Sequence, residues 1–187
     1  MDAITVLRAE HRHIEDLSKA FERAGTRAEA AKARAVEGLV RALSVHAAVE
    51  EQVLYPALLE EMPAVRAYVL DGIEEHHVTK WLCDELDRMS PADARFDPKT
   101  RVLIGFVRYH VGEEEAVLFP EIRTALGRRR LAELGQALEE ARGKAPTRPH
   151  PRLTDPPSMV AGLVAGAVDR VRDAGKRAVE DARHAAS

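Results

Sequence analysis

The eleven residues HAAVEEQVLYP at 46–56 return as HVGEEEAVLFP at 110–120, with six identities and Phe119 standing where Tyr55 does. The shift between the copies is 110 − 46 = 64 residues. A phrase written twice implies two equivalent structural units that must complete one another. The duplication reaches beyond it. Glu10-His11 is followed six residues on from the histidine by Leu17, and Glu75-His76 likewise by Leu82. Each half therefore holds one segment with a single His and one with His-x-x-x-Glu.

Apolar residues recur at helical spacing around all four segments. They predict helices over 3–24, 27–61, 64–89 and 99–118, with helix continuing to about 143 and a loop at SPADARFDP, 90–98. No stretch alternates as a strand does. An all-α, up-down antiparallel four-helix bundle is the expected fold. Hydrophobic residues make up 45% of the chain and aromatics 4%, so the core is expected to be Leu, Val, Ile and Ala, with Trp81 in it and Cys83 as a small buried hydrophobe.

Past Gly143 the composition changes. Residues 144–158, KAPTRPHPRLTDPPS, hold five of the ten prolines. They predict an extended linker over 144–157, between a bundle domain at 1–143 and a C-terminal amphipathic helix at 158–187. The stripe of that helix is Val160, Leu163, Val164, Ala167, Val168, Val171 and Ala178. It is expected to pair with the bundle or to mediate self-association or partner binding. His150 and His184, in linker and tail, are expected to be solvated.

Several partners are argued against. A net charge of −3 with no strongly basic half does not suit nucleic acid. The longest apolar run, MVAGLVAGAV at 159–168, is too short to span a bilayer. One cysteine excludes an intramolecular disulfide and disfavours a thiolate metal site. The expectation is a cytoplasmic protein without a transmembrane segment.

His46 and Glu50, four apart, share a helix face, as do His110 and Glu114. Imidazole and carboxylate at that reach can hold a divalent cation. A bundle can aim His11, His46, Glu50, His76, His110 and Glu114 at one centre. Six ligands from four helices make a two-metal site with both glutamates free to bridge. Two carboxylates buried without a cation would cost on the order of several kcal/mol. The repeat then reads as two half-sites of one dinuclear centre, and Pro56 and Pro120 are expected to end or kink each helix just past the ligands.

The pattern H…HxxxE…H…HxxxE resembles the hemerythrin-like (HHE cation-binding) domain over roughly residues 1–125. The resemblance implies metal ligands at the six residues above. They would hold two non-haem iron ions in an Fe–O–Fe type centre that binds or responds to O2, peroxide or nitric oxide, with peroxide consumption among the activities implied. Marine oxygen-carrying hemerythrins have a fifth His and HxxxxD in the last helix. Here position 115 is Glu, which argues against plain oxygen transport.

Two rivals stand beside this. A ferritin-like di-iron carboxylate or iron-handling protein would use Glu10…His13 and Glu74…His77 with Glu50 and Glu114. A metal-free helical interaction module would use none of them. His77 is also an additional or alternative ligand to His76, and the phenol of Tyr55 lies within reach of the first half-site. No Gly-rich loop or nucleophile stands beside the site, so carrier, sensor and enzyme stay open.

Overall fold

The structure, a computed structural model, describes residues 1–25, 27–151, 166–175 and 178. Among them every regular element is a helix. The long ones are α1 (Ala3–Arg23), α2 (Glu29–Val49), α4 (Arg66–Arg88) and α5 (Phe96–Glu113), and α7 (Arg128–Arg142) follows. α1 starts where the Asp2 carboxylate accepts from the Thr5 N–H at 2.9 Å. It packs on α2, α2 on α4, α4 on α5 and α5 on α1, which closes a ring of four.

The inward residues alternate three and four apart, the spacing that keeps one stripe facing a neighbour. In α1 they are Ile4, Leu7, His11, Ile14, Ser18 and Phe21; in α5 they are Phe96, Thr100, Leu103, Val107 and His110. The histidines stand in the seam, at positions a leucine would otherwise take. They also divide the core. Leu7, Val49, Val69 and Leu118 belong to one apolar cluster; Ile14, Leu43, Cys83 and Val107 belong to another. On each arm a ligand candidate lies between the two, so the polar layer is closed off from both ends.

The prolines do not end the helices. After α2 the chain widens into a π turn, Glu50–Leu54, and resumes as α3 (Tyr55–Glu61); after α5 it does the same at Glu114–Leu118 before α6 (Phe119–Ala125). A proline cannot donate to the carbonyl four residues back, and its ring crowds that carbonyl. A wider turn relieves this, with Tyr55 N–H donating to Glu50 C=O and Phe119 N–H to Glu114 C=O. Each π turn begins at the glutamate of the HxxxE pair.

The helix expected to continue to 143 breaks at Leu126–Gly127, and α7 folds back over α1, α2 and the first π turn. Its Leu131, Leu134 and Leu138 join the core. α7 crosses the chain start at Gly135, where an added Cβ would meet Met1 O at 2.2 Å and Ala3 N at 2.9 Å. Gly135→Ala is therefore expected to lower stability by about 1–3 kcal/mol through overpacking against backbone, measured as a lower melting temperature with metal content unchanged.

Residues 144–151 do not stand off as an extended spacer. Ala145, Pro146, Thr147 and Pro149 are buried, and Ala145 belongs to the core. His150 is half-buried, with Nε2 3.1 Å from Asp169. Of the tail helix, 166–175 are described; Val160, Leu163, Val164 and His184 lie outside the described residues. Ala167, Val168, Val171 and Ala178 are exposed. The face turned inward is Asp169 and Asp173, which accept from Thr147 N–H, Thr147 Oγ1 and Arg41 at 2.8–3.0 Å. Charge pairing, not the apolar stripe, orients this turn. No helix among the described residues is long and apolar enough to cross a membrane.

Candidate metal centre

His11, His46, Glu50, His76, His110 and Glu114 are all at most 5% exposed, and they meet in the layer between the two apolar clusters. They form two overlapping groups: His46, Glu50, His76 and His110, and His11, His46, Glu50 and Glu114. Within these groups the ligand atoms lie within 4.8 Å of one another. His46 and Glu50 belong to both.

Every imidazole turns Nε2 inward and Nδ1 toward a glutamate. His46 Nδ1 lies 3.3 Å from Glu10, His110 Nδ1 2.6 Å from Glu75, His76 Nδ1 3.1 Å from Glu51 and His11 Nδ1 2.9 Å from Glu115. An ionised carboxylate only accepts, so it keeps the proton on Nδ1 and leaves the Nε2 lone pair free for a cation. Glu10 and Glu75 serve the histidine of their own half, while Glu51 and Glu115 serve the other half. Behind them, Lys80 donates to Glu51 at 2.6 Å and Arg8 lies 3.7 Å from Glu115. Sequence reasoning missed these four outer glutamates. The signal was the Glu-Glu doublet of each copy and the Glu-His dipeptide of each preceding helix.

The inward atoms approach without bonding well. His11 Nε2 is 3.3 Å from Glu114, His46 Nε2 3.5 Å and His76 Nε2 3.4 Å from Glu50. His11 Nε2, His46 Nε2, Glu50 Oε1 and Glu114 Oε2 are buried with no hydrogen-bond partner. Orphaned buried groups of this kind are costly. His76 Nε2 and His110 Nε2 face each other at 3.2 Å. Two nitrogens on one ion, each bonded at about 2.1 Å and roughly at right angles, would be about 3 Å apart. The donor set fits divalent cations that accept mixed imidazole and carboxylate ligands.

The charges agree. Burial opposes a charged His11, but the carboxylates of Glu114 and Glu50 outweigh it and raise its pKa to about 9. His76 is likewise opposed by burial and raised to about 9 by Glu50 and Glu51. His110 is pushed down to about 3 by burial, despite Glu114 beside it, with neighbouring imidazoles adding to the fall. Glu114 is held below the usual carboxylate range: burial works against this, and His110, His11 and His46 prevail. Without metal, two protons stand where cation charge belongs.

One feature breaks the two-fold likeness. Tyr55 donates toward Glu50 (3.2 Å) and Glu114 (3.3 Å) and stacks on His76; Phe119 stacks on His11 without a hydroxyl. Burial and the two carboxylates push the phenol pKa well up, so it stays protonated.

His77 points away from the centre. It accepts from Trp81 Nε1 at 3.0 Å and lies 3.8 Å from Glu74, whose side chain is 80% exposed. Trp81 itself is 44% exposed and not core, because its indole covers the α4 surface beside His77. His13 is exposed as well. The Glu10…His13 and Glu74…His77 pairs thus put only Glu10 near the centre, and there it bonds His46. His77→Ala and His13→Ala are expected to leave metal content unchanged on elemental analysis; loss of metal in either would favour the ferritin-like scheme.

Known proteins resemble this chain in sequence and in fold. A Nostoc sp. protein described as a DNA nickase is 30% identical over 107 residues, covering 54% of this chain. The chain spans 28% of that relative's length. The crystal structure of a Hemerythrin HHE cation binding domain-containing protein from Mycobacterium kansasii superposes with a TM-score of 0.64 at 22% identity, over 76% of this chain and 88% of that one. At that identity the likeness speaks for the fold. The model of the Hemerythrin HHE cation binding domain matches residues 2–122, from the start of α1 to Ile122 in α6, so both halves of the duplicated centre lie inside it and the chain belongs to that family.

Proposed function

We propose that His11, His46, Glu50, His76, His110 and Glu114 hold two non-haem iron ions, and that the protein binds or responds to O2, peroxide or nitric oxide. What carries the reading is the set of four inward Nε2 atoms and two carboxylates, of which His11 Nε2, His46 Nε2, Glu50 Oε1 and Glu114 Oε2 are buried without partners. Such an iron pair, when bound, supplies redox chemistry toward small oxygen or nitrogen oxide ligands. The chain's residues do the rest. The four outer glutamates orient the imidazoles, the two apolar clusters limit water, and Tyr55 holds a proton between Glu50 and Glu114. A cavity of about 320 Å³ between α4 and α5 reaches His110, Glu114 and Tyr55, room enough for a small ligand. Consumption of peroxide is an activity this arrangement would support.

The ring of four helices is taken as an up-down antiparallel bundle over 1–143, with 144–157 and the helix at 158–187 as an appended segment able to mediate association. The reading is of a cytoplasmic protein acting on a small ligand. A net charge of −3 offers little attraction for nucleic acid. The test is iron quantification after purification without chelator, with visible spectra before and after peroxide. About two irons per chain and a spectrum that peroxide changes are expected from an imidazole-rich pair. A chain that takes up no metal would instead be a helical interaction module.

A further inference from the structure

Two cavities approach the buried centre, and their charged linings differ. One, of about 590 Å³, borders Glu10 and is lined by Arg41, Arg142 and Arg170. The other, of about 320 Å³, runs between α4 and α5, and no lysine or arginine among the described residues lines it. Its lining carboxylates are graded by depth. Asp71, Glu74 and Glu113 are exposed at the mouth, Glu75 is half-buried, and Glu114 is buried at the inner end. Helical spacing builds this: Asp71, Glu74 and Glu75 share a face of α4, and Glu113 follows Tyr109 by four on α5.

The inner two carboxylates face imidazoles, Glu75 on His110 and Glu114 on His11 and His110, but the three at the mouth have no lysine or arginine within 4 Å among the described residues. Among the described residues no cation pairs with Asp71 or Glu113 within 4 Å, and the nearest to Glu74 is His77 at 3.8 Å. A row of acids alone would mean little. At its inner end, however, Glu114 is 4% exposed, and its Oε2 is buried with no hydrogen-bond partner. Gly72 lines the same cavity, and a Cβ there would stand 2.7 Å from the Tyr55 hydroxyl, so the glycine keeps the inner end open beside the phenol.

We propose that this cleft is the route by which a divalent cation, ferrous iron on the reading above, reaches the buried ligands, with Asp71, Glu74 and Glu113 drawing it in. The inference rests on the metal-binding reading and adds a path to it. A mouth of one charge sign with low-dielectric walls concentrates counter-ions and raises association rates. The other cavity offers a cation no such row of acids, since its Arg41 stands on Asp173 and its Arg142 beside Glu10.

The test is the rate at which the metal-free chain takes up ferrous iron without oxygen, followed by stopped flow against a fluorescent chelator. The variant is Asp71→Asn/Glu74→Gln/Glu113→Gln, none of which is a proposed ligand. Uptake is expected to slow about tenfold at low salt and to approach the unsubstituted rate at about 0.5 M salt, with the final iron content unchanged. The control, Glu133→Gln/Glu139→Gln/Glu140→Gln on exposed α7 positions, should keep the unsubstituted rate. An unchanged rate in the cleft variant, or equal slowing in the control, overturns the proposed route while leaving the metal site standing. Absence of any uptake by the unsubstituted chain overturns the metal reading itself, and this inference with it.

Discussion

Glu50→Ala is expected to empty both metal positions, taking the chain from about two ions to near none on elemental analysis, because an imidazole-rich site loses the carboxylate common to both groups and the charge that orients its neighbours. Glu50 is fully buried and is common to both four-residue groups. Its Oε2 also anchors His46, His76 and Tyr55, at 3.2–3.5 Å. The fold is expected to survive. Without Glu50 the metal-free chain would hold a poorly compensated charge on His76, but a buried imidazole can shed its proton instead. Far-UV circular dichroism should therefore stay helical while the metal is lost. Retention of two ions in the folded variant would remove Glu50 from the shared position. Glu50→Gln, which keeps the shape and still accepts from Tyr55, separates the charge from the packing.

Metal removal should lower the melting temperature, and the gap between the two forms should widen as pH rises. A ligand present at a hundredfold excess over its Kd adds about 2.7 kcal/mol, which for a chain of this size is roughly 5–10 °C per site. The pH dependence comes from the protons that stand in for metal. His11 and His76 of the metal-free chain have pKa values raised from 6.5 to about 9. A raised histidine contributes stability that is fully present below its unfolded pKa and lost as pH climbs through the folded one. The metal-free form should thus lose stability between about pH 6.5 and 9, as its carboxylates lose their proton partners. In the loaded form the cation holds those carboxylates, so no such loss is expected. On the acid side His110, lowered to about 3, and Glu114, lowered from its ordinary value, both cost stability as pH falls, His110 below about 6.5 and Glu114 below about 4.5. Protons also compete there for the ligands. Melting curves of both forms from pH 5 to 9 check this. A gap that narrows with rising pH would mean that His11 and His76 do not exchange protons for metal.

Much of the centre was legible because its information is local. The helical turn puts His46 beside Glu50 and His110 beside Glu114 whatever surrounds them. The three-and-four spacing of Leu7, His11 and Ile14, or of Leu103, Val107 and His110, shows that these histidines face inward with the core. His76 over His77 follows from the same seam through Val69, Gly72, His76, Thr79 and Cys83. Trp81, hydrophobic enough to be expected in the core, is kept out of it by its register on α4. It falls outside that seam, and its N–H finds His77 at the surface instead.

By itself, then, the sequence determined the helices, the duplication, the inward histidines and the family. Those depend on spacings of three, four and 64 residues, which survive any packing consistent with helices. Tertiary structure alone decided which glutamate backs which histidine. Glu51 lies 25 residues before His76 and Glu115 lies 104 residues after His11, so no local spacing announces either pair. It also decided that Tyr55 would stand between Glu50 and Glu114, that α7 would turn back at Gly127, and that the described tail would dock through Asp169 and Asp173. Each of these is set by which groups from distant segments arrive at the same place and need a partner there. A buried charge or polar atom takes the partner that packing brings within reach.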